Sequence, residues 1–439
     1  MGEGGTFVLI NGTPYAWVKT GTSSYQMNAW SFPDVVGAGQ TASVYVEWDE
    51  GILHNKGDDS GEVHFSLQGT PHTFQLQARG SGGFHLQVYL VGIATANNPQ
   101  GSTVRLGWHH DGNTVFIFSG QVGRFSSVNP PSNWMQTNIS SLGSRPIRHL
   151  CIPGSHDSGM SIINGKTVFA NPDNVLTQTV SIAQQLSLGA RYFDLRPVVS
   201  AGQFKCGHYS KVDVVGWQGA NGESFSQVID EVNTFTSNNK ELVVLNLSHD
   251  RNTDDGRDYR ALNQDEWNRL FAQLSGIHDL FVASDPTAVD LVNLTLSQFI
   301  GQNRAAVVII IQPDDQSISL GDYATRGFYF YRQFNAYNSY SDSNDLSRMT
   351  QDQLDKMRAV RPNPNGQLFL LSWTLTQDAG DIVGGTSILD LAREANPAMF
   401  TALPPACNAN TFPNILYIDN FAESNVTALA MAINDMAPP

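Results

Sequence analysis

Two runs of almost unbroken apolar residues constrain this chain most: Glu241-Leu-Val-Val-Leu-Asn-Leu247 and Ala305-Ala-Val-Val-Ile-Ile-Ile311. A strand with one wet face alternates apolar and polar residues. A strand apolar at every position needs cover on both faces, as in a parallel sheet clad by helices. The stretches around these runs supply that cover. Helical periodicity is predicted over 225–239, over 264–274 with Trp267, Leu270, Phe271 and Leu274 on one stripe, and over 290–300. It returns over 349–360, opening at Thr350, and over 426–435. Further strands are predicted at 150–152, 190–196, 328–331, 368–374 and 414–419. From Arg145 onward the pattern is α/β, with six or seven strand–helix units.

Residues 1–125 read differently. Alternation appears in Ser43-Val-Tyr-Val-Glu-Trp48, Val63-His-Phe-Ser-Leu67, Phe84-His-Leu-Gln-Val-Tyr-Leu90 and Thr114-Val-Phe-Ile-Phe118, separated by Gly, Asn, Asp and Pro turns. Short strands at such spacing predict an all-β, sandwich-like domain. Trp17, Trp30, Trp48 and Trp108 are expected mostly in its core, since large aromatics dominate sandwich interiors. His109-His110-Asp111 is expected as a surface turn, not a metal cluster, because adjacent strand side chains point opposite ways. Residues 126–144, rich in Pro, Ser and Asn, read as a linker, which leaves 145–439 as the second domain.

Composition narrows the partners. The net charge is −15 and only 15% of the 439 residues are charged. That argues against nucleic acid and against simple electrostatic attraction to an anionic membrane. No apolar run reaches transmembrane length, and Met1-Gly-Glu-Gly-Gly lacks the features of a signal peptide. Three cysteines are too few for a disulfide framework and fit no zinc spacing, so Cys151 and Cys206 are expected as buried free thiols. Sequons at Asn11, Asn138, Asn293 and Asn425 favour an extracellular setting over a cytoplasmic one, while that at Asn246 falls in a predicted core strand.

The chemistry gathers at predicted strand ends. Leu150-Cys-Ile runs into Pro153-Gly-Ser-His-Asp-Ser-Gly159, so the strand is expected to break at Pro153-Gly154 and to present His156 and Asp157. Gln184-Gln-Leu-Ser-Leu-Gly-Ala-Arg-Tyr-Phe-Asp-Leu-Arg196 leaves a helix through Gly189 as C-cap and enters a strand ending in Asp194 and Arg196. Those two, at i and i+2, share a face. Phe204-Lys-Cys-Gly-His-Tyr209 adds His208. Ser155-His156-Asp157 is no catalytic triad, because consecutive residues do not converge on one another. A divalent metal held by His156, Asp157, Asp194, His208, His249 and Asp250 suits the residue types, but Arg196 in their midst opposes a cation. A barrel retained as scaffold beside a lipid- or glycan-binding β domain is a third reading.

The three motifs PGSHDSG, GARYFDLR and CGHY, in that order, resemble the X-domain of phosphatidylinositol-specific phospholipase C and the wider PLC-like phosphodiesterases. The resemblance runs from about Arg145 to the C-terminus. It implies an irregular TIM-type (β/α) barrel with missing helices. It implies cleavage of a phosphodiester, phosphatidylinositol-like or with a related headgroup, through attack by a neighbouring hydroxyl of the substrate. His156 maps to the general base, His208 to the general acid and Arg196 to the phosphate clamp. Asp157 maps beside the leaving group, and Asp194 supports the arginine and the acid. Asp419, at the end of the last strand, is the candidate partner of His156 by position. Arginine at 196, where calcium-dependent members carry an acidic residue, implies a metal-independent site without cofactor. Ser248-His249-Asp250 and Gln312-Pro313-Asp314 stand where the family has a lysine and an arginine that grip inositol. Ser248, His249 and Gln312 are therefore expected to contact a different polar headgroup. The β domain is expected to meet a membrane surface or a glycan.

Overall fold

The computed structural model describes residues 2–51, 55–213 and 215–436. The chain forms two compact units. One comprises the chain up to Pro131, together with Pro397–Asn410 and the stretch from Thr427 onward; the other comprises Ser132–Asn396 and Thr411–Val426.

The first unit holds ten strands: β1 (Glu3–Gly12), β2 (Trp17–Tyr25), β3 (Met27–Trp30), β4 (Val35–Val36), β5 (Thr41–Trp48), β6 (Ser60–Leu67), β7 (Thr73–Arg79), β8 (His85–Tyr89), β9 (Thr103–Gly107) and β10 (Asn113–Ser119). They form a four-stranded sheet, β10-β1-β5-β3, and a six-stranded sheet, β4-β2-β6-β7-β8-β9. Their inner faces share one core built on Trp17, Trp48, Phe65, Phe74 and Phe116, all fully buried. Trp30 and Trp108 pack at its rim, and His109, His110 and Asp111 are exposed in a turn, as predicted. The first sequon does not survive folding. Asn11 is buried, its amide donating to the carbonyls of Tyr15, Val36 and Gly37 at 2.8, 3.0 and 3.0 Å. Its side chain holds loops together and offers no acceptor to a glycan. Asn246, 3% exposed inside a strand, is closed in the same way.

The helix Val426–Met436 completes this unit. Gly12 has no room for a side chain, since a Cβ there would stand 2.8 Å from that of Ala432. Asp435 Oδ2 accepts from the Gly120 amide at 2.7 Å. The stretch expected as a linker carries two short helices, Trp134–Thr137 and Ile139–Leu142, and its residues from Ser132 belong to the second unit.

In the second unit the strands are β11 (Ile152–Ser155), β12 (Tyr192–Leu195), β13 (Pro197–Ser200), β14 (Gln203–Val212), β15 (Gly216–Ser224), β16 (Leu242–Ser248), β17 (Arg251–Asn252), β18 (Ala306–Gln312), β19 (Phe328–Phe330), β20 (Ala336–Asn338), β21 (Leu368–Ser372) and β22 (Ile415–Ile418). Eight of them make one sheet, ordered β19-β18-β16-β12-β11-β22-β21-β20, in which every pairing is parallel. This is an irregular TIM-type barrel. β16 and β18, the two apolar runs, lie in the sheet with all residues buried except Gln312. Around β19 and β20 the covering helices give way to 3-10 turns at Gly321–Thr325 and Tyr331–Gln333.

Three sequence expectations shift. β11 does not break at Pro153-Gly154 but runs through both to Ser155. Pro153 lacks an amide, yet its carbonyl accepts from Arg191 N at 2.9 Å. Gly154 is needed because a Cβ there would meet Ile415 Cγ2 at 2.7 Å. The helix predicted over 290–300 splits into a 3-10 turn, Leu291–Asn293, and a short helix, Leu296–Ile300. The helix expected to open at Thr350 begins at Leu346, capped by Asp345, whose Oδ1 accepts from Arg348 N at 2.7 Å. By contrast Gln264–Leu274 is as predicted, fixed by a capping box in which Asn263 and Glu266 each accept the other's amide.

A buried ion pair locks the entrance to this unit. Arg191 Nε donates to Glu241 Oε2 at 2.9 Å, and both side chains are fully buried. Glu241 also accepts from the Met135 and Gln136 amides at 3.1 and 2.7 Å, so one carboxylate binds the 134–137 helix to the starts of β12 and β16.

Because the helix Val426–Met436 packs with the N-terminal strands, deleting residues 1–125 is expected to bare an apolar helix face. The truncated chain should be less soluble than the full chain and bind a hydrophobic dye. A truncated protein that stays monomeric and dye-silent would contradict this packing.

Candidate active site

The site lies at the C-terminal ends of the parallel strands, where barrel loops converge. Beyond β11, β16 and β22 the chain turns through left-handed backbone at Asp157 (φ 40°), His249 (φ 55°) and Asn420 (φ 50°). Asp, His and Asn tolerate that conformation better than other side chains, which suits them to these corners. A second, four-stranded sheet, β15-β14-β13-β17, continues from the end of β12. The hairpin β14–β15 within it carries His208.

Sequence analysis saw His208 only as a following segment, because this hairpin is rich in glycine and polar residues. Three of its glycines have steric reasons. A Cβ at Gly207 would strike Val198, and one at Gly219 the His208 carbonyl. One at Gly222 would strike the Gly159 carbonyl.

The structure brings the predicted residues together. His156 Nδ1 is 2.7 Å from Asp419 Oδ1, the partner expected by position. His208 Nδ1 is 2.7 Å from Asp157 Oδ2. Arg196 lies between the two pairs. Its Nη2 is 2.7 Å from His156 Nε2, its Nη1 3.2 Å from Asp157 Oδ2, and its Nε donates to Asp194 Oδ2 at 3.2 Å. Since arginine only donates, His156 here is the neutral tautomer with its proton on Nδ1, facing Asp419. The two imidazoles and the guanidinium keep 16 to 19% of their side-chain surface exposed, whereas Asp157 is sealed. Asp157 Oδ1 is buried with no hydrogen-bond partner.

Asp194 organises the rest. Its Oδ2 accepts from the Asp157 amide at 3.2 Å and from the Tyr417 hydroxyl at 2.6 Å, besides Arg196. Its Oδ1 accepts from Ser248 Oγ at 3.0 Å. Ser248, expected to contact a headgroup, is thus turned inward onto this carboxylate and against His249 Nδ1 at 2.8 Å. His249 stands at the site's edge and Gln312 is exposed at the end of β18. Asp250 accepts from the Leu262 and Asp314 amides at 2.6 and 2.7 Å and serves as a loop brace.

Sequence reasoning missed Tyr417, whose ring also lies 5.0 Å from that of His156. The available signal was its place on the last strand, two residues before Asp419. It also missed Gln178, which donates to the His156 carbonyl at 2.8 Å and accepts from the Phe421 amide at 3.0 Å, joining the loops after β11 and β22.

Electrostatics follow from this packing. Burial alone would raise Asp194, but Arg196 and the nearby histidines outweigh it and hold the carboxyl far below its usual range. Burial disfavours a charged His156, yet Asp419 overcomes it and raises the imidazole above its usual 6.5. His249 is lowered, first by the Arg196 charge and then by burial. Burial also raises the Cys206 thiol; Cys206 and Cys151 are both buried and neither is in a disulfide. Among the described residues, no three His, Cys, Asp or Glu side chains are arranged to hold a metal ion.

No family model matches the chain. Over 154 residues it is 31% identical to a PI-PLC X-box domain-containing protein of Dictyostelium discoideum, covering 31% of this chain and 20% of that protein. Over 144 residues it is 31% identical to PI-PLC X domain-containing protein 3 of Bos taurus, covering 27% of this chain and 42% of that protein. The chain resembles the PI-PLC X-domain proteins. Its match spans between a fifth and about two fifths of the length of these curated relatives. A solved structure of phosphatidylinositol-specific phospholipase C from Staphylococcus aureus aligns with a TM-score of 0.49 at 16% identity, over 71% of this chain and 98% of that one.

In this PI-PLC-like chain Asp194→Asn is expected to destabilise the fold by about 3 kcal/mol in urea titration, since it takes one of two carboxylates from the largely buried Arg196. Tyr417→Phe should cost only about 1 kcal/mol, the loss of one hydrogen bond. Equal effects of the two changes would contradict the central place of Asp194.

Proposed function

We propose that this protein is a metal-independent phosphodiesterase of the phospholipase C type, acting on a lipid whose headgroup carries a hydroxyl next to the phosphodiester. The observation that carries this reading is the pair of histidines, each backed by a carboxylate at 2.7 Å, with one arginine set between them. Two imidazoles can share base and acid roles near neutrality, and a guanidinium fork matches phosphate oxygens.

The steps follow the geometry. Arg196 turns its outer nitrogens to the phosphate, which frees His156 Nε2. That nitrogen takes the proton of the neighbouring hydroxyl, with Asp419 steadying the positive imidazole. The hydroxyl oxygen bonds to phosphorus while charge on the equatorial oxygens meets Arg196. The bond from phosphorus to the lipid oxygen breaks, its electron pair stays on that oxygen, and His208 supplies the proton. The products are a cyclic phosphate and a lipid alcohol such as diacylglycerol. Asp157 holds His208 and Arg196 in one frame. His249, kept neutral, and Gln312 are the proposed headgroup contacts; they suit hydroxyl groups better than a further charge.

The test is a panel of glycerophospholipids, glycosylated inositol lipids and soluble phosphodiesters, assayed with and without EDTA. Turnover should survive EDTA. His156→Ala and His208→Ala should each lose about 10²–10⁴ in rate. Arg196→Lys should lose about 10²–10³, because a point charge does not replace the fork. Turnover abolished by EDTA, or retained in either histidine variant, would refute the assignment.

The pH profile adds a second check. His156 must be unprotonated to act as base, so kcat/KM should fall as pH drops through a midpoint above 6.5. Asp419→Asn removes the carboxylate that raises this midpoint and should move the acid limb to lower pH while cutting the rate. An unmoved limb would mean that another group titrates.

A further inference from the structure

A carboxyl group that the proposed reaction does not use joins the mounts of the two histidines. Glu223, next to last on β15, is fully buried. Its amide donates to the Gly159 carbonyl at 2.9 Å, and its Oε1 accepts from Ser161 Oγ at 2.9 Å. The amide of Ile182, first residue of the helix Ile182–Ser187, faces the same carboxyl. Its Oε2 is buried with no hydrogen-bond partner. One side chain thus meets three segments: the turn after β11, the hairpin that carries His208, and the helix that leads into β12.

Turn and hairpin touch closely here. A Cβ on Gly159 would stand 2.4 Å from Cys206 Sγ on β14, and one on Gly222 of β15 would stand 2.1 Å from the Gly159 carbonyl. The reaction centre is a few residues away on both sides. Gly159 follows Asp157 by two positions, and Asp157 Oδ2 lies 2.7 Å from His208 Nδ1. Across the hairpin His208 is opposite Ala220, which precedes Glu223 by three. Movement at this junction is therefore passed to the contact between Asp157 and His208.

The charged group that faces Glu223 is a second carboxylate. Glu231, on the helix Phe225–Asn238, accepts from the Ala183 amide at 2.6 Å and from Gln227 Nε2 at 2.8 Å. The other elements packed around Glu223 offer no charge: β14 brings the Cys206 thiol, the turn after β11 the Ser161 hydroxyl, and the helix Ile182–Ser187 a backbone amide. Among the described residues no lysine, arginine or histidine acts on it. A buried carboxylate with one unfilled oxygen, beside a like charge and without a cation, is costly when ionised. Burial first and then the Glu231 charge push the Glu223 carboxyl up to about 7.

We propose that Glu223 is a positioning residue for the reaction: as the neutral acid it clamps the turn after β11 to the His208 hairpin, and as the carboxylate it loosens that clamp. The catalytic consequence rests on the phosphodiesterase reading; the clamp itself does not. Ionisation is relieved by admitting water to the carboxylate, which parts it from Ser161 and draws the end of β15 away from Gly159. His208 then loses its alignment on Asp157. The folded chain holds this proton more tightly than an unfolded glutamate, whose usual value is 4.5. The stability that the bound proton contributes is therefore complete below 4.5 and is lost as pH rises through about 7.

The experiment compares the full chain with Glu223→Gln, which keeps the shape but does not ionise, and with Ser161→Ala, which cuts the clamp from the other side. Turnover of a diester from the panel and the thermal midpoint are measured at pH 6 and pH 8, one unit either side of about 7. Glu223→Gln should match the parent at pH 6. From pH 6 to pH 8 the parent should lose roughly tenfold more in kcat than Glu223→Gln, and its thermal midpoint should fall further. Ser161→Ala should lose severalfold in kcat at pH 6 with KM little changed. Hydrogen exchange of the parent gives a check that needs no variant: residues 157–163 should lose protection between pH 6 and pH 8, beyond the intrinsic effect of pH. Parallel pH profiles in the parent and Glu223→Gln, full activity in Ser161→Ala, or constant protection of 157–163 would each overturn the proposal. Absence of turnover on any diester would instead strike the phosphodiesterase reading and leave the thermal midpoints and the exchange to decide the clamp.

Discussion

One buried carboxylate, that of Asp194, holds the site together. It takes donors from the corner after β11, from the end of its own strand, from the hydroxyl of Tyr417 on β22 and from Ser248 at the end of β16. A carboxylate out of water is costly unless its lone pairs are filled and its charge met. Here both needs are satisfied at once, and the group that meets the charge is Arg196. Every strand that contributes a donor is thereby fixed in height relative to its neighbours. The imidazole of His156 and the corner at Asp157 take their positions from that alignment.

What was legible in the sequence is what depends on local pattern. β16 and β18 announced themselves because a strand covered on both faces has no polar positions to confuse the reading. The strand-end residues His156, Asp157, Asp194 and Arg196 were legible because polar groups after an apolar run have few places to go. Asp419 followed from the same logic at the last strand. What escaped depends on contacts far apart in sequence. Tyr417 reads as one more apolar strand residue until its hydroxyl is seen on Asp194, 223 positions away. Ser248 reads as a free hydroxyl until the same carboxylate claims it.

The β13–β15 segment escaped for another reason. Gly207, Gly219 and Gly222 look like turn signals, yet they sit where backbone and side chains of neighbouring segments leave no space for a Cβ. Close packing and loose turns select the same residue. The Asn11 sequon shows the converse: a surface signal by motif is a buried strut, its amide shared among three loop carbonyls. Short motifs of three residues carry no information about depth.

The two histidines stand on different mounts. His156 belongs to the barrel, while His208 belongs to a hairpin outside it, and Asp157 and Arg196 join them. That arrangement separates two properties that in a single mount would change together. Two residues inserted in each strand beyond Tyr209 would lengthen the hairpin by about 7 Å and preserve which side chains face which way, since strand faces repeat every second residue. His208 would keep its register against Asp157 throughout. A step of two residues therefore keeps the facing of the hairpin's far end, whereas a step of one would turn it over.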